Sequence, residues 1–457
     1  MTSSETIDPI ELMYETGWTD GLPVVPPTSE KVKDFVIASG RDADTLIAEL
    51  PPLGGKATIE RIAVNAVMAG CLPEYMPVVI AAVQALMDSR FNLRGVMCST
   101  GIHTPLIVVN GPITKTLDIN SGYNCFGQGW RANATIGRAV KLILVNLGGA
   151  VPGDTNKATF GHPGAYTYCI AESEEANPWT PYHVDSGFQV EDSTVMVFPG
   201  EAPHNIMYHA VNDRNFLTVL ADSMCPLGNV QMYVMGDTLV VLGPEHAKML
   251  ANAGWRKQDV KQFLHENARK PVGLLRRGGP AQGDDRREML WPKFVNPSNN
   301  DDMVPVVRRV DDIHILVAGG AGGPHSVYIP GWGSRCSIRK IETPLGGYMG
   351  TLTMPGSDVG RRLQALDIKI PIDPEVLTSW RAVPRLESLT GKVGGFLGNK
   401  KANAELLLKD VKVLLDQRFE LKDSILVDKF IYSRPASEEI IESLASECDF
   451  VVTAIAD

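Results

Sequence analysis

Apolar residues in the first third of the chain recur at helical spacing and then at strand spacing. A helix is predicted from Thr58 to Gly70, because apolar residues fall at every third or fourth position and a glycine can adopt the left-handed closing conformation. Pro77 suits the first turn of a second helix. The continuous apolar run at 105–109 predicts a strand that is buried on both faces. This order of elements is typical of an α/β fold.

Strands further along the chain run into loops that are rich in glycine or polar residues. The loop 117–130 follows the buried strand and precedes a predicted helix at 131–147. A strand at 314–318 runs into the glycine loop 319–325. Ligands of α/β proteins bind at such junctions. The glycine loop lacks both the G-x-G-x-x-G pattern and the P-loop lysine, so a tight turn is a better interpretation of it than an anion-binding loop.

The clearest pattern lies in the last seventy residues. Strand and helix signals alternate at 392–397, 402–419, 424–430, 437–448 and 449–456. They predict three parallel strands joined by right-handed helical crossovers. We therefore expect a multi-domain α/β protein with a C-terminal Rossmann-like parallel βαβαβ unit.

Three segments are expected along the chain. Residues 1–300 form an N-terminal α/β domain that could contain two subdomains, and residues 301–388 form an intermediate segment with the glycine-rich loop. Residues 389–457 form the βαβαβ unit, which looks incomplete because no helix follows its third strand. The assembly is left open between a homo-oligomer and a partner chain that completes this unit.

The charge and the termini restrict the class of partner. The formal net charge is −10 and no long run of Lys or Arg occurs, so nucleic acid and anionic membrane are not expected as partners. No apolar run approaches the roughly 18 residues of a membrane span, and the N-terminus lacks a signal-peptide pattern. We expect a cytoplasmic protein that acts on a small molecule, and the sequence indicates no particular cofactor.

Seven cysteines are scattered along the chain without a C-x-x-C pair. An odd number without a pairing pattern argues against a disulfide framework and against a zinc ribbon. We expect reduced thiols, which are usually buried as small hydrophobic side chains. The cysteines are Cys71, Cys98, Cys125, Cys169, Cys225, Cys336 and Cys448.

Two stretches near the C-terminus resemble a known family. The run 391–404, the long helix that follows it and the run 447–457 resemble the start of the UGSC-type domain. That family is named for a selenocysteine-Gly-Ser-Cys motif in which many members carry cysteine instead of selenocysteine. Stretches at 17–28 and 68–75 resemble long members of the family less specifically. The resemblance covers about 65 residues, and the motif itself is not in this chain.

The resemblance implies where the reactive atom of the family lies. The motif follows the Asp that closes the last strand, here Asp457. The resemblance therefore implies that a UGA codon read as a stop truncates the chain before its selenocysteine. A natural C-terminus at this strand is the alternative. A selenol or thiol between a strand end and a helix start ionises readily, because the helix dipole favours the anion.

Candidate residues in the C-terminal segment surround that expected position. Asn399, Lys400, Lys401 and Asn403 could bind an anionic substrate, although a solvated loop with a helix cap at Asn403 explains them equally simply. Asp457 could orient or protonate the substrate, or it could be a charged chain end without a further role.

A second group of candidates flanks the buried strand of the N-terminal segment. Cys98 and His103 precede the strand and could form an activated nucleophile pair. Cys125 follows the strand as a further candidate for catalysis, and the adjacent Asn124 and Arg131 could bind substrate. A buried cysteine beside a hydrogen-bonded histidine is the common alternative.

A third group lies between residues 160 and 179. His162, Cys169 and Glu172 are the candidates for catalysis there, and neighbouring carboxylates could act as an acid and base pair. An acidic helix start explains Glu174 and Glu175 without catalysis. The remaining histidines, among them His183, His204 and His209, lack the spacing of a metal-ligand motif, so no metal is predicted.

Three functions follow from these patterns. The first is an enzyme that uses a selenol or thiol for redox or nucleophilic chemistry on a small molecule. The second is a non-redox lyase or hydratase whose site lies in residues 98–179. The third is a structural subunit that a partner chain completes.

Overall fold

The computed structural model describes residues 9–278, 291–342, 386–398, 404–428 and 436–454. The chain divides into two compact units, Met1–Gly350 and Thr351–Asp457. Both units mix helices and strands, which confirms the predicted α/β class. No helix in these ranges has both the length and the apolar character that a membrane span requires.

The first unit contains both long and short elements. Its helices are α1 (Pro9–Glu15), α2 (Ser29–Ser39), α3 (Ile59–Ala69), α4 (Met76–Leu86), α5 (Leu93–Cys98), α6 (Ile113–Thr116), α7 (Arg131–Asn146), α8 (Tyr182–Asp185), α9 (Asp213–Met224), α10 (Gln231–Val234), α11 (Pro244–Asn252), α12 (Lys257–Asn267) and α13 (Val272–Gly278). Its strands are β1 (Leu46–Leu50), β2 (Gly55–Thr58), β3 (Thr104–Asn110), β4 (Cys169–Ala171), β5 (Thr194–Gly200), β6 (His204–Met207), β7 (Thr238–Leu242), β8 (Arg269–Pro271), β9 (Met303–Pro305), β10 (Ile313–Val317), β11 (His325–Ile329) and β12 (Ser337–Lys340).

Two four-stranded sheets form the centre of this unit. Their strand orders are β12-β5-β3-β4 and β10-β7-β11-β6. In the first sheet, β3 lies between β4 and β5, so the apolar run at 105–109 is a central strand as predicted. In the second sheet, β7 pairs in parallel with β10 and antiparallel with β11.

The central strands of these sheets divide their side chains between two cores. In β3, Leu106 and Val108 face the second sheet, whereas Ile107 and Val109 pack against α3, α4 and α7. Successive residues of a strand point to opposite faces, so the central apolar run serves both cores at once.

The second sheet mirrors this arrangement. In β7, Leu239 and Val241 face the first sheet, whereas Val240 and Leu242 pack against α9, α11 and α12. The unit is therefore built of four layers, in the order helix, sheet, sheet, helix. We call the apolar region between the two sheets the inter-sheet layer.

Several predicted elements of the first unit are confirmed. Helix α3 has Thr58 as its N-cap and ends at Gly70, whose φ of 86° lies in the left-handed region that glycine favours. Helix α4 carries its proline in the first turn, as Pro77 predicted. The helix predicted at 131–147 and the strand predicted at 314–318 correspond to α7 and β10.

The strands after residue 300 pair with strands from earlier in the chain. Strand β9 pairs with β8, β10 with β7, β11 with β6 and β7, and β12 with β5. Their hydrogen bonds make this stretch part of the first unit, and the division between the units falls after Gly350.

The second unit contains the predicted βαβαβ unit, which is confirmed. Its elements are β13 (Val393–Gly398), α14 (Ala404–Phe419), β14 (Asp423–Asp428), α15 (Glu438–Glu447) and β15 (Phe450–Ala454). All three strands are parallel, in the order β14-β13-β15. Leu408 of α14 packs on Phe396, and Leu444 of α15 lies against Gly395 on the other face of β13. The two helices therefore cover opposite faces of the sheet.

The inter-sheet layer predicts a large contrast between two phenylalanines. Phe198 is fully buried in that layer, whereas Phe160 is 90% exposed. We expect Phe198→Ala to lower the free energy of unfolding by about 3–5 kcal/mol, because it removes buried area and leaves a cavity. Phe160→Ala should change it by less than about 0.5 kcal/mol. Urea unfolding followed by circular dichroism measures both, and equal effects would contradict the layer assignment.

Candidate functional site

Three polar side chains converge at one end of the inter-sheet layer. Asp237 immediately precedes β7, His314 lies in β10, and Cys336 immediately precedes β12. The register pairs His314 with Leu239, so both side chains point into the inter-sheet layer. The segment 330–336 carries the chain from β11 in one sheet to β12 in the other, which brings Cys336 to the gap between the sheets.

Close backbone packing holds this crossing segment against Asp237. A Cβ atom on Gly331 would lie 2.0 Å from the carbonyl oxygen of Asp237, so only glycine fits there. The Asp237 amide donates a hydrogen bond to the Ser334 carbonyl oxygen at 3.0 Å. The Cys336 amide donates to Asp237 Oδ2 at 2.8 Å. The crossing therefore positions the thiol and the carboxylate together.

The imidazole of His314 has a polar atom at each of its nitrogens. His314 Nε2 lies 3.4 Å from Cys336 Sγ and 3.0 Å from Asp237 Oδ2. His314 Nδ1 lies 3.0 Å from the Tyr182 hydroxyl oxygen, which is itself 3.6 Å from Cys336 Sγ. A thiol, a carboxylate and a phenol thus surround one imidazole.

One protonation state matches every donor of this group with an acceptor. In an imidazolium, Nε2–H points to Asp237 Oδ2 and Cys336 Sγ, and Nδ1–H donates to the Tyr182 oxygen. The Tyr182 hydroxyl is then free to donate to Cys336 Sγ. This arrangement gives both N–H groups of a protonated His314 an acceptor, as buried polar groups require.

The electrostatics of the buried histidine agree with that state. Burial acts to lower the pKa of His314, but the negative charges of Cys336 and Asp237 and their hydrogen bonds raise it to about 10. Burial likewise acts to raise the pKa of Asp237, yet the hydrogen bond and charge of His314 hold it below its usual value. Burial raises the pKa of Tyr182 well above 10, so its hydroxyl stays protonated.

A guanidinium balances the buried carboxylates beside the site. Arg335 Nη1 lies 2.8 Å from Asp312 Oδ1 and 3.4 Å from Asp237 Oδ1. The two aspartate side chains are only 1% and 3% exposed, so the pairing offsets the cost of removing them from water. The His314 side chain is 13% exposed, and Cys336 is half-buried. Cys336 is therefore a more exposed residue than Asp237.

Helix α12 carries a second cationic group. Lys257 and Lys261 are one turn apart on α12, and Lys257 Nζ donates to the Thr180 carbonyl and to Asp185, both at 2.6 Å. Lys261 forms no hydrogen bond or ion pair in the described part of the chain. Burial and the charge of Lys257 lower its pKa, and the negative charge of Cys336 is among the effects that raise it.

The same three donor atoms are also suited to a metal ion. One oxygen of Asp237, one nitrogen of His314 and the sulfur of Cys336 all lie within 4.8 Å of one another. Thiolate, imidazole and carboxylate are the ligand types of Zn²⁺.

Glu172, a predicted catalytic residue, positions part of this site. Its carboxylate accepts hydrogen bonds from the Tyr182 amide at 2.7 Å, from Asn177 at 2.9 Å and from Asn110. Burial raises its pKa. Because these donors fill its oxygens, Glu172 fixes the backbone of Tyr182 and leaves little capacity for a substrate.

Two predicted histidines lie together in another buried cluster. His103 Nε2 is 3.2 Å from Glu201 Oε1, but neither ring nitrogen makes a hydrogen bond. Burial lowers the pKa of His162 to about 4, and the charges of His103, Glu201 and Lys141 also act on it. No hydrogen bond joins Cys98 to His103 within residues 9–278, so the structure does not form that predicted pair.

The other predicted residues are separate from the site. Burial raises the pKa of Cys125 to about 11 and that of Cys169 further, so both are inert core thiols. Asn124 closes a turn onto the Gln128 carbonyl, and Arg131 donates to carbonyl groups at the end of α3. All seven cysteines are free, as predicted, and four of them are buried.

Five of the predicted site residues belong to the C-terminal unit. They are Asn399, Lys400, Lys401, Asn403 and Asp457, and they lie outside the described residues.

Sequence reasoning missed Asp237, His314, Cys336 and Tyr182. Of these four residues, only His314 could have been recognised from the sequence. It interrupts an apolar strand at a position that shares a face with Leu316. The partners of His314 come from distant parts of the chain, and no spacing rule joins them.

The second unit has the architecture of a Rossmann-like α/β domain. The model of the UGSC family matches residues 368–457, so the C-terminal part of the chain is similar to that family. The predicted resemblance is confirmed. No curated protein and no solved structure matches the chain.

The buried His162 predicts a pH-dependent stability. Its pKa in the folded protein is about 4, below the ordinary 6.5, so between these values the unfolded chain binds a proton that the folded chain does not. The stability that the neutral His162 contributes to the folded protein is present above pH 6.5 and is lost as the pH falls toward 4. The wild-type protein should lose on the order of 1 kcal/mol of its free energy of unfolding through His162 between pH 7 and pH 5, after allowance for solvent screening. The His162→Asn variant should not show this loss.

Urea unfolding at the two pH values measures this difference. Asn can still accept the hydrogen bond that His162 Nδ1 receives from the Gly164 amide. The exposed His209 provides a matched control, since His209→Asn should leave the pH dependence unchanged. An unchanged pH dependence in His162→Asn would contradict the buried neutral state.

Proposed function

We propose that the protein is a thiol-dependent enzyme that acts on a small molecule, and that Cys336 is its nucleophile. The observation that carries the proposal is the position of Cys336 Sγ, 3.4 Å from His314 Nε2 and within reach of the Tyr182 hydroxyl. Nucleophilic cysteines need a neighbouring base or cation, because the thiolate is the reactive species. Cys336 is a half-buried residue, whereas four of the seven cysteines are buried.

Each residue has a defined role in the proposed step. The thiolate of Cys336 donates an electron pair to an electrophilic carbon of the substrate and forms a sulfur–carbon bond. His314 Nε2 transfers its proton to the basic atom that this attack generates or expels. Asp237 stabilises the imidazolium before the transfer, and Tyr182 orients the ring through Nδ1. The step needs no oxidant or reductant.

The alternative of a lyase or hydratase in residues 98–179 has less support. Its best carboxylate, Glu172, is occupied by three donors, and Cys125 and Cys169 are buried thiols. The thiol hypothesis therefore accounts for more of the polar groups in the described residues.

The family match supports a second candidate. A UGSC motif could supply a further selenol or thiol, since the match covers residues 368–457. Reading the nucleotides that follow the codon of Asp457 tests this candidate. An in-frame UGA followed by codons for Gly, Ser and Cys supports it, and an ordinary stop codon contradicts it.

The proposed nucleophile predicts a high reactivity of the Cys336 thiol. At pH 7, iodoacetamide should alkylate Cys336 about ten-fold faster than the half-buried Cys98 in the same molecules, because a thiolate reacts and a thiol does not. His314→Gln should remove this advantage, since Gln cannot hold the proton. Peptide mass spectrometry after timed alkylation measures both rates. Similar rates at the two cysteines in the wild-type protein would rule out Cys336 as the nucleophile.

A further prediction concerns the charge of the substrate. We propose that Lys261, which has no partner among the described residues, binds an anionic group of the substrate beside the thiolate. Lys261→Met should lower the alkylation rate of Cys336 by iodoacetate about three-fold or more, because an attractive charge is lost. The rate with neutral iodoacetamide should stay nearly unchanged and provides the control. An equal effect on both reagents would contradict anion binding by Lys261.

A further inference from the structure

The site beside the thiol has a second property that the proposed chemistry does not use. In most catalytic cysteine–histidine–aspartate groups, the thiol and the carboxylate contact different nitrogens of the imidazole. Here both lie at Nε2 of His314, with Cys336 Sγ at 3.4 Å and Asp237 Oδ2 at 3.0 Å. An oxygen, a nitrogen and a sulfur therefore face one common point.

We infer that Asp237, His314 and Cys336 bind one thiophilic divalent cation of the zinc type at that point. Binding covers the sulfur lone pairs, so the cation regulates the enzyme by blocking its nucleophile. This regulatory consequence rests on the proposed function, whereas the binding itself does not.

The distances between the donor atoms suit such a cation. Tetrahedral Zn²⁺ has Zn–S bonds of about 2.3 Å and Zn–N or Zn–O bonds of about 2.0–2.1 Å, which separates neighbouring ligand atoms by about 3.3–3.6 Å. The sulfur–nitrogen separation of 3.4 Å and the nitrogen–oxygen separation of 3.0 Å need only small adjustments to reach these values. All three atoms lie within 4.8 Å of one another.

The surrounding hydrogen bonds orient the three ligands. His314 Nδ1 is bonded to the Tyr182 hydroxyl, which leaves Nε2 directed at the common point. The Cys336 amide donates to Asp237 Oδ2 and holds the carboxylate toward the thiol. Metal-binding histidines in proteins have such a partner on the second nitrogen, which sets the orientation of the ring.

The charges of the group also suit a divalent cation. A thiolate, a carboxylate and a neutral imidazole carry two negative charges, which a divalent ion cancels. The nearest guanidinium, Arg335, lies 2.8 Å from Asp312 Oδ1 and 3.4 Å from Asp237 Oδ1, so it contacts the Asp237 oxygen that does not face His314 and Cys336. Hard cations such as Mg²⁺ prefer oxygen ligands, so the sulfur and nitrogen of this group select against them.

Metal titration of the full chain tests the inference without a substrate. The protein is treated with a chelator, the chelator is removed, and Zn²⁺ is added in a calorimeter. Co²⁺ is added in a parallel experiment, because a cobalt–thiolate bond produces a charge-transfer absorption band. We expect one ion per chain and a thiolate band with Co²⁺. Mg²⁺ should not compete.

Matched variants assign the binding to these residues. Cys336→Ser and His314→Gln should each weaken Zn²⁺ binding by more than the roughly 10–100-fold that loss of an outer-shell partner causes. Tyr182→Phe, which removes only the hydroxyl, should weaken it about ten-fold. Cys98→Ser removes a half-buried thiol from outside the site and should bind Zn²⁺ as the wild-type protein does. Circular dichroism shows whether each variant folds. If Cys336→Ser does not fold, Cys336→Ala is tested in its place.

Two results separate this inference from the proposed function. Absence of saturable Zn²⁺ binding, or equal binding by Cys336→Ser, overturns the metal site even if Cys336 is rapidly alkylated in metal-free protein. Slow alkylation of Cys336 in metal-free protein overturns the proposed function even if Zn²⁺ binds. If both hold, one equivalent of Zn²⁺ should suppress alkylation of Cys336 and leave that of Cys98 unchanged.

Discussion

The burial of two sheets against each other is the constraint on which the first unit depends. Each central strand sends alternate side chains to the opposite sheet and to a helical layer, so both positions must be apolar. A polar group in the inter-sheet layer must find a partner there, because water is excluded. His314, Tyr182 and Cys336 meet this requirement through one another at the end of the layer.

The requirement that buried polar groups have partners explains the chemical character of the site. A histidine on the inner face of an edge strand is unfavourable unless buried carboxylates and donors compensate it. Asp237 supplies the compensating charge, and Arg335 in turn balances Asp237 and Asp312. The same pairing that makes the histidine tolerable also makes the neighbouring sulfur a nucleophile or a metal ligand. Structural stability and reactivity therefore depend on the same contacts.

The family match and the polar cluster lie in different units of the chain. The UGSC match concerns the C-terminal unit, whose parallel sheet has its helices on opposite faces. The cysteine–histidine–aspartate group belongs to the first unit and is complete within it. The first unit therefore carries its own candidate for catalysis, separate from the segment that matches the UGSC family.

The sequence by itself determined elements whose signals are local. Spacing, caps and turn residues were enough for α3 with its closing Gly70, for the central strand β3 and for the whole βαβαβ unit, because each depends on neighbouring residues. Only the tertiary structure decided which strands pair and which polar side chains meet. Asp237, His314 and Cys336 precede or occupy three different strands, and their proximity follows from the packing of two sheets and from a crossing segment between them. Such contacts join residues far apart in the chain, and no periodicity in one segment encodes them.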